Sequence, residues 1–183
     1  MNKYKAFTLT ELLIAAVLVG LIILTVTSVD ITSRRFFNVV SRRAKVQDEA
    51  KIAMEHIVKN VQRGIGDVTN PGTSEGFSAS GSQVEVQLDV DGDGRFTGIP
   101  PDKKIRYTYN GGKIVYDPDI NIGGNEEDLT ANMVTNASFN QGSAPNQVDV
   151  TIEVLHNPSE AEGLENPKTT LTSSIILRAM SCR

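Results

Sequence analysis

Two stretches of this chain carry residue types at spacings that could do chemistry. The first is Asp89-Val90-Asp91-Gly92-Asp93-Gly94. Acids at positions one, three and five with glycine at six reproduce the opening half of an EF-hand-type calcium loop. Such spacing suits a hard cation, because alternate side chains in a tight turn converge on one point while glycine permits the bend. The carbonyl of Arg95 would be the seventh-position ligand. The twelfth position, where a bidentate Glu belongs, is Pro100, and Asp102 two residues further on could supply the missing carboxylate. The residues leave two readings open: a structural Ca2+ site formed by Asp89, Asp91, Asp93, the Arg95 carbonyl and Asp102, or an acidic turn between strands with no ion.

The second stretch is Lys5-Ala6-Phe7-Thr8-Leu9-Thr10-Glu11, which leads into Leu12–Val29, 18 residues without a charge. A lone carboxylate at the head of so apolar a run is unusual. Near the centre of a membrane helix an ionised acid costs about 2.5 kcal/mol or more, so an acid placed there points to function. The competing reading puts Glu11 in the first turn at the membrane edge, where the helix macrodipole favours a negative charge.

Other chemistry finds little support. His56 and His156 show no metal-binding spacing, and Cys182 is the only cysteine, so no intrachain disulfide can form. Nucleophile elbows, phosphate loops and zinc patterns are missing, and no enzymatic role is expected. Charge is divided unevenly. Residues Asp30 to Arg63 hold 8 Lys/Arg against 4 Asp/Glu, whereas Gly64 to Arg183 hold 8 against 17. A nucleic-acid module would carry its basic patch on the folded part, so direct nucleic-acid binding is not expected. The acidic loops Asp117 to Asp128 and Asn157 to Lys168 read as solvated, the latter as mobile and exposed.

The elements that must position these residues follow from periodicity. If Phe7 to Val29 is helical it rises about 34 Å, enough to cross a bilayer. Lys3 and Lys5 ahead of it would be held in the cytoplasm. Between Ile31 and Arg63 there is neither Pro nor Gly, and Val46, Ala50, Ala53, Ile57 and Val61 recur at helical spacing, widened by Met54 and Val58. One stem of about 85 Å is predicted, or two helices with a break near Asp30. Gly64 and Gly66 end it. Beyond, the period becomes two. Val84 to Leu88, Lys104 to Tyr109, Lys113 to Tyr116, Met133 to Phe139, Val148 to Val154 and Leu171 to Leu177 are predicted strands, with a tight turn at Asn110-Gly111-Gly112. A long helix followed by antiparallel strands is an α+β pattern.

The leader, Ala6, Phe7-Thr8-Leu9-Thr10-Glu11 and the apolar helix resemble the N-terminus of type IV pilins and of type II secretion pseudopilins. Ala6 stands where the family usually has Gly. Helix-then-sheet layout resembles in particular minor pseudopilins of the J kind and PilW-like minor pilins. The resemblance implies cleavage by prepilin peptidase between Ala6 and Phe7, N-methylation of Phe7, and neutralisation of that amine by Glu11 during assembly. It also implies four segments: a cytoplasmic leader over 1–6, a transmembrane assembly helix over 7–29, an amphipathic stem over 30–65 and a β-sheet head over 66–183. Implied partners are other pilin or pseudopilin subunits and an inner-membrane assembly platform. The implied location is the inner membrane, crossed once with the head outside the cytoplasm, and then the filament. A membrane-anchored binding domain that never polymerises, calcium-dependent if the acidic loop holds an ion, is the alternative from another class.

Overall fold

The computed structural model describes residues 8–65, 76–92, 96, 101–144 and 146–177. Two compact units divide the chain, Met1–Ser41 and Arg42–Arg183. A single helix, α1 (Leu9–Val61, 53 residues), runs through Asp30 without the break that the sequence left open.

In the first unit the stretch of α1 from Leu12 to Val29 is uncharged and largely uncovered. Leu12, Leu18 and Ile22 are each more than half exposed, so none of the described residues buries this run. Thr25, Thr27, Ser28 and Thr32 turn their hydroxyls back onto carbonyls three or four residues earlier. That bonding hides their polarity inside the helix, which lets them sit among apolar neighbours.

The second unit is a helix end covered by two antiparallel sheets. One is five-stranded, in the order β1 (Phe77–Ala79), β2 (Gln83–Leu88), β3 (Lys103–Asn110), β4 (Lys113–Asp117) and β5 (Glu127–Asp128). The other has three strands, β6 (Val134–Gln141), β7 (Gln147–Leu155) and β8 (Lys168–Ile176). A bridge between Gly81 and Phe139 ties the two together. Alternation sets the faces. Val84, Val86 and Leu88 of β2, Ile105 and Tyr107 of β3, and Val148, Val150, Ile152 and Val154 of β7 point into one apolar core. From α1 the same core takes Val46, Ala50, Ala53, Met54, Ile57 and Val61, with Val58 packed beside it. Outside, Glu85 bridges Lys104 and Arg106 across β2 and β3.

The β3–β4 connection is Gly111-Gly112, with φ of 52° and 122°. Glycine reaches these angles without strain, as the predicted turn requires.

A polar clasp fastens α1 to β3. Tyr107 is fully buried, and its hydroxyl lies 2.8 Å from Asn60 Nδ2 and 3.0 Å from His56 Nδ1. Its ring stacks on Tyr116 at 5.0 Å, and His56 meets Tyr116 edge-on at 4.8 Å. The Asn60 amide donates into the hydroxyl, which leaves the hydroxyl hydrogen for a neutral His56 Nδ1. Desolvation, aided by the nearby Lys59, holds His56 below the usual histidine range. Burial pushes the Tyr107 phenol well above its ordinary range.

After Val61 the chain passes beneath the sheet at Gly64. A Cβ there would stand 2.7 Å from Val86 Cγ1, 2.8 Å from Leu177 Cδ2 and 3.1 Å from the Val61 carbonyl. Both side chains are core members with little room to give. Gly64→Ala is therefore expected to destabilise this unit by about 1–3 kcal/mol, the usual range for overpacking. Urea unfolding of the wild-type and substituted chains in the same detergent checks this.

Asn157 to Lys168 is a loop shaped by its own hydrogen bonds. Asn166 is buried; its amide donates to the carbonyls of Asn157, Glu160 and Ala161, while its Oδ1 accepts from the Asn157 N–H at 2.7 Å. One side chain thus adds to the loop's few backbone bonds, such as those exchanged between Gly163 and Asn166. Arg42 adds a bond to the Glu165 carbonyl at 2.6 Å. Glu160, Glu162 and Glu165 remain exposed.

Candidate functional site

At the start of α1, Thr8 and Glu11 form a reciprocal pair. The Thr8 N–H and hydroxyl each donate to Glu11 Oε2 at 2.9 Å, and the Glu11 N–H donates to Thr8 Oγ1 at 3.3 Å. This is a capping box: Thr8 is the N-cap, and Glu11 three residues later satisfies a donor that the helix cannot. The signature was present in the sequence as Thr8-x-x-Glu11, though the reading of Glu11 as a partner for an amine does not use it. Ala6 and Phe7 lie outside the described residues.

Such a cap has a chemical consequence. It holds the carboxylate at the N-terminal end of the helix, where the dipole already favours it. Both Thr8 bonds fall on one carboxylate oxygen, and an acid can accept about four. The capped acid therefore keeps acceptor capacity for a cation brought up to the same end.

A second constellation sits between β2 and β3. Carboxylate oxygens of Asp89, Asp91 and Asp102 all lie within 4.8 Å of one another. Asp89 leaves the end of β2 and accepts the Gly92 N–H at 2.6 Å, closing a turn in which Gly92 takes φ 77°. Asp102, only 2 % exposed, stands just before β3 and accepts the Val90 N–H at 3.2 Å. The β2–β3 pairing of Leu88 with Lys103 brings the two ends of the loop together. Asp102 thus meets the turn despite its displacement from the twelfth loop position. Asp93 and Arg95 lie outside the described residues. Three hard oxygen donors at this separation fit a cation of the calcium class. A divalent ion bound there would neutralise mutual repulsion and tie together the two ends of the loop.

Among the described residues, the remaining titratable candidates are engaged in structural contacts. His56 belongs to the clasp on Tyr107, and Cys182 lies outside the described residues. In the loop 117–128, Asp117 and Asp119 accept local backbone N–H bonds, and Asp128 pairs with Lys113 at 2.6 Å. These contacts shape the loop and β5.

Among the described residues, α1 is long and apolar enough to cross a membrane. Residues 1–27 match the prokaryotic N-terminal methylation motif. No curated protein and no solved structure matches the chain. The match covers the leader, the segment around Phe7 and Glu11, and most of the uncharged run; the head lies beyond it. This motif, leading into a long apolar helix followed by antiparallel sheets, supports a place for the chain in the type IV pilin and pseudopilin family, a family of structural subunits.

Proposed function

We propose that this chain is a minor subunit of a type IV pilus or of a type II secretion pseudopilus. The observation that carries the reading is the methylation motif running directly into the uncovered apolar length of α1. The precursor sits in the inner membrane with its head outside the cytoplasm. Prepilin peptidase cuts between Ala6 and Phe7 and methylates the new Phe7 amine. An inner-membrane assembly platform then moves the helix into the filament among other pilin or pseudopilin subunits. Lipid is as apolar as a filament core, so burial alone does not drive this exchange. Helix packing and neutralisation of the Phe7 amine by Glu11 supply the difference. A single cysteine, Cys182, suits a minor subunit better than a major one closed by a C-terminal disulfide.

Intact-mass analysis of the chain purified from its native membrane tests this reading. A mass beginning at methylated Phe7 is expected. A retained Met1 would favour the non-polymerising anchored domain, and a start beyond Val29 would remove the filament role.

The same reading includes a structural calcium site at Asp89, Asp91 and Asp102, completed by Asp93 and the Arg95 carbonyl. Its support is the convergence of the three carboxylates. A ligand at a hundred times its Kd stabilises the folded state by about 2.7 kcal/mol. Calcium is therefore expected to raise the melting temperature relative to chelator, and Asp91→Ala to remove that response. An unchanged melting temperature in the wild-type chain would reduce the motif to an acidic turn.

A further inference from the structure

The helix leaves its uncharged run at Asp30, and the residues that follow are neither a soluble face nor a simple continuation of the span. Phe36 and Phe37 are 65 % and 68 % exposed, their rings edge to face at 6.4 Å. At helical spacing Val29, Ser33, Phe36, Phe37 and Val40 share one side, while Arg34, Arg35 and Asn38 occupy the other. Arg34 is held to Asp30 at 2.9 Å, along the helix. Ser28, Val29, Thr32, Ser33 and Phe36 together line a shallow, open groove. Small side chains there leave room for an acyl chain along the ring face.

Length places this segment. Counted from Leu12, about 20 helical residues fill the hydrocarbon core, so its outer boundary falls near Ile31. Arg34 to Phe37 then lie about 5–9 Å further out along the helix axis, at the level of the headgroups. Arginine at that depth meets lipid phosphate, and amphipathic helices with basic and aromatic faces settle at this boundary. A helix–helix contact would instead favour small residues across the whole face.

On the membrane-anchored reading above, we propose that Asp30–Ser41 is a lipid-binding collar. Phe36 and Phe37 rest at the level of the headgroups, and Arg34 and Arg35 engage the phosphates of anionic phospholipid. The collar sets how deep the helix sits and must be released when the subunit leaves the bilayer.

The chain has no tryptophan, so one can be introduced as a single reporter. Phe36→Trp and, as a deep control, Val19→Trp are placed in the full chain in phosphatidylcholine vesicles, with and without phosphatidylglycerol. Vesicle lipids carry bromine either near the headgroup or near the chain ends. Emission from position 36 should shift blue and be quenched roughly twofold or more strongly by headgroup-proximal bromine, as expected of an interfacial aromatic. Position 19 should show the reverse preference. Phosphatidylglycerol should deepen quenching at position 36, and Arg34→Gln with Arg35→Gln should abolish that gain without moving position 19. Water-like, unquenched emission at position 36 beside a quenched position 19 overturns the collar alone. Both positions unquenched overturns the membrane reading together with it. Quenching at 36 that ignores both phosphatidylglycerol and the arginine substitutions overturns the phosphate contact.

Discussion

Chains carrying Glu11→Ala should accumulate in the membrane and fail to enter filaments, and Glu11→Gln should fail as well. The capping box makes the second substitution the informative one. Glutamine at the third helical position keeps the reciprocal bonding with Thr8, because the motif accepts Glu or Gln. Alanine loses both the cap and the charge. An amine and a carboxylate about 4 Å apart gain about 4 kcal/mol at an effective dielectric of 20, and half of that already lowers incorporation roughly 30-fold. Losing the cap alone costs about 0.5–2 kcal/mol at one helix end. Quantifying the subunit in sheared filaments against membrane fractions separates the two contributions. Normal incorporation of the Gln variant would show that Glu11 matters as a cap and not as a counter-charge.

Tyr107→Ala should be among the most damaging single changes in the second unit. Removing a buried aromatic costs about 3–5 kcal/mol, and this one also leaves Asn60 and His56 without the hydroxyl between them. Tyr107→Phe keeps the ring on Tyr116 and should cost about 1–3 kcal/mol, because Asn60 Nδ2 keeps its bond to the His56 carbonyl but loses the hydroxyl, as does His56 Nδ1. Urea unfolding followed by circular dichroism reads both. The clasp also predicts a pH response. His56 is depressed in the folded chain, so the unfolded chain binds the proton more tightly. Its contribution is complete above about pH 6.5 and falls away as pH drops below that value toward the folded pKa. His56→Gln should flatten that part of the stability profile.

Periodicity carried most of the fold. The apolar spacing from Val46 to Val61 names the buried face of α1, and the six alternating runs are the six longer strands. What it could not carry is pairing made by too few residues to alternate. β1 has three residues and β5 two, and each is held by its neighbour strand. Asn60 and Asn166 escaped for a related reason. An Asn reads as surface until its partners, here Tyr107 and the 157–161 carbonyls, are known. At the acidic turn, spacing identified Asp89 and Asp91, and Asp102 joins them through the strand register that fixes the loop length. Around Glu11 a second local rule, the N-cap three residues earlier, was equally visible in the letters but answers a different question about the same side chain.

The last turns of α1 contribute Val46, Ala50, Ala53, Ile57 and Val61 to the same interior as both sheets, each fully shielded from water. A protease that clipped the helix between these residues would not shed an intact outer portion; what it released would carry an open apolar cleft and be prone to clump. Conversely, the amphipathic stretch is synthesised well before β8, so its apolar side stays uncovered until the final strand is in place.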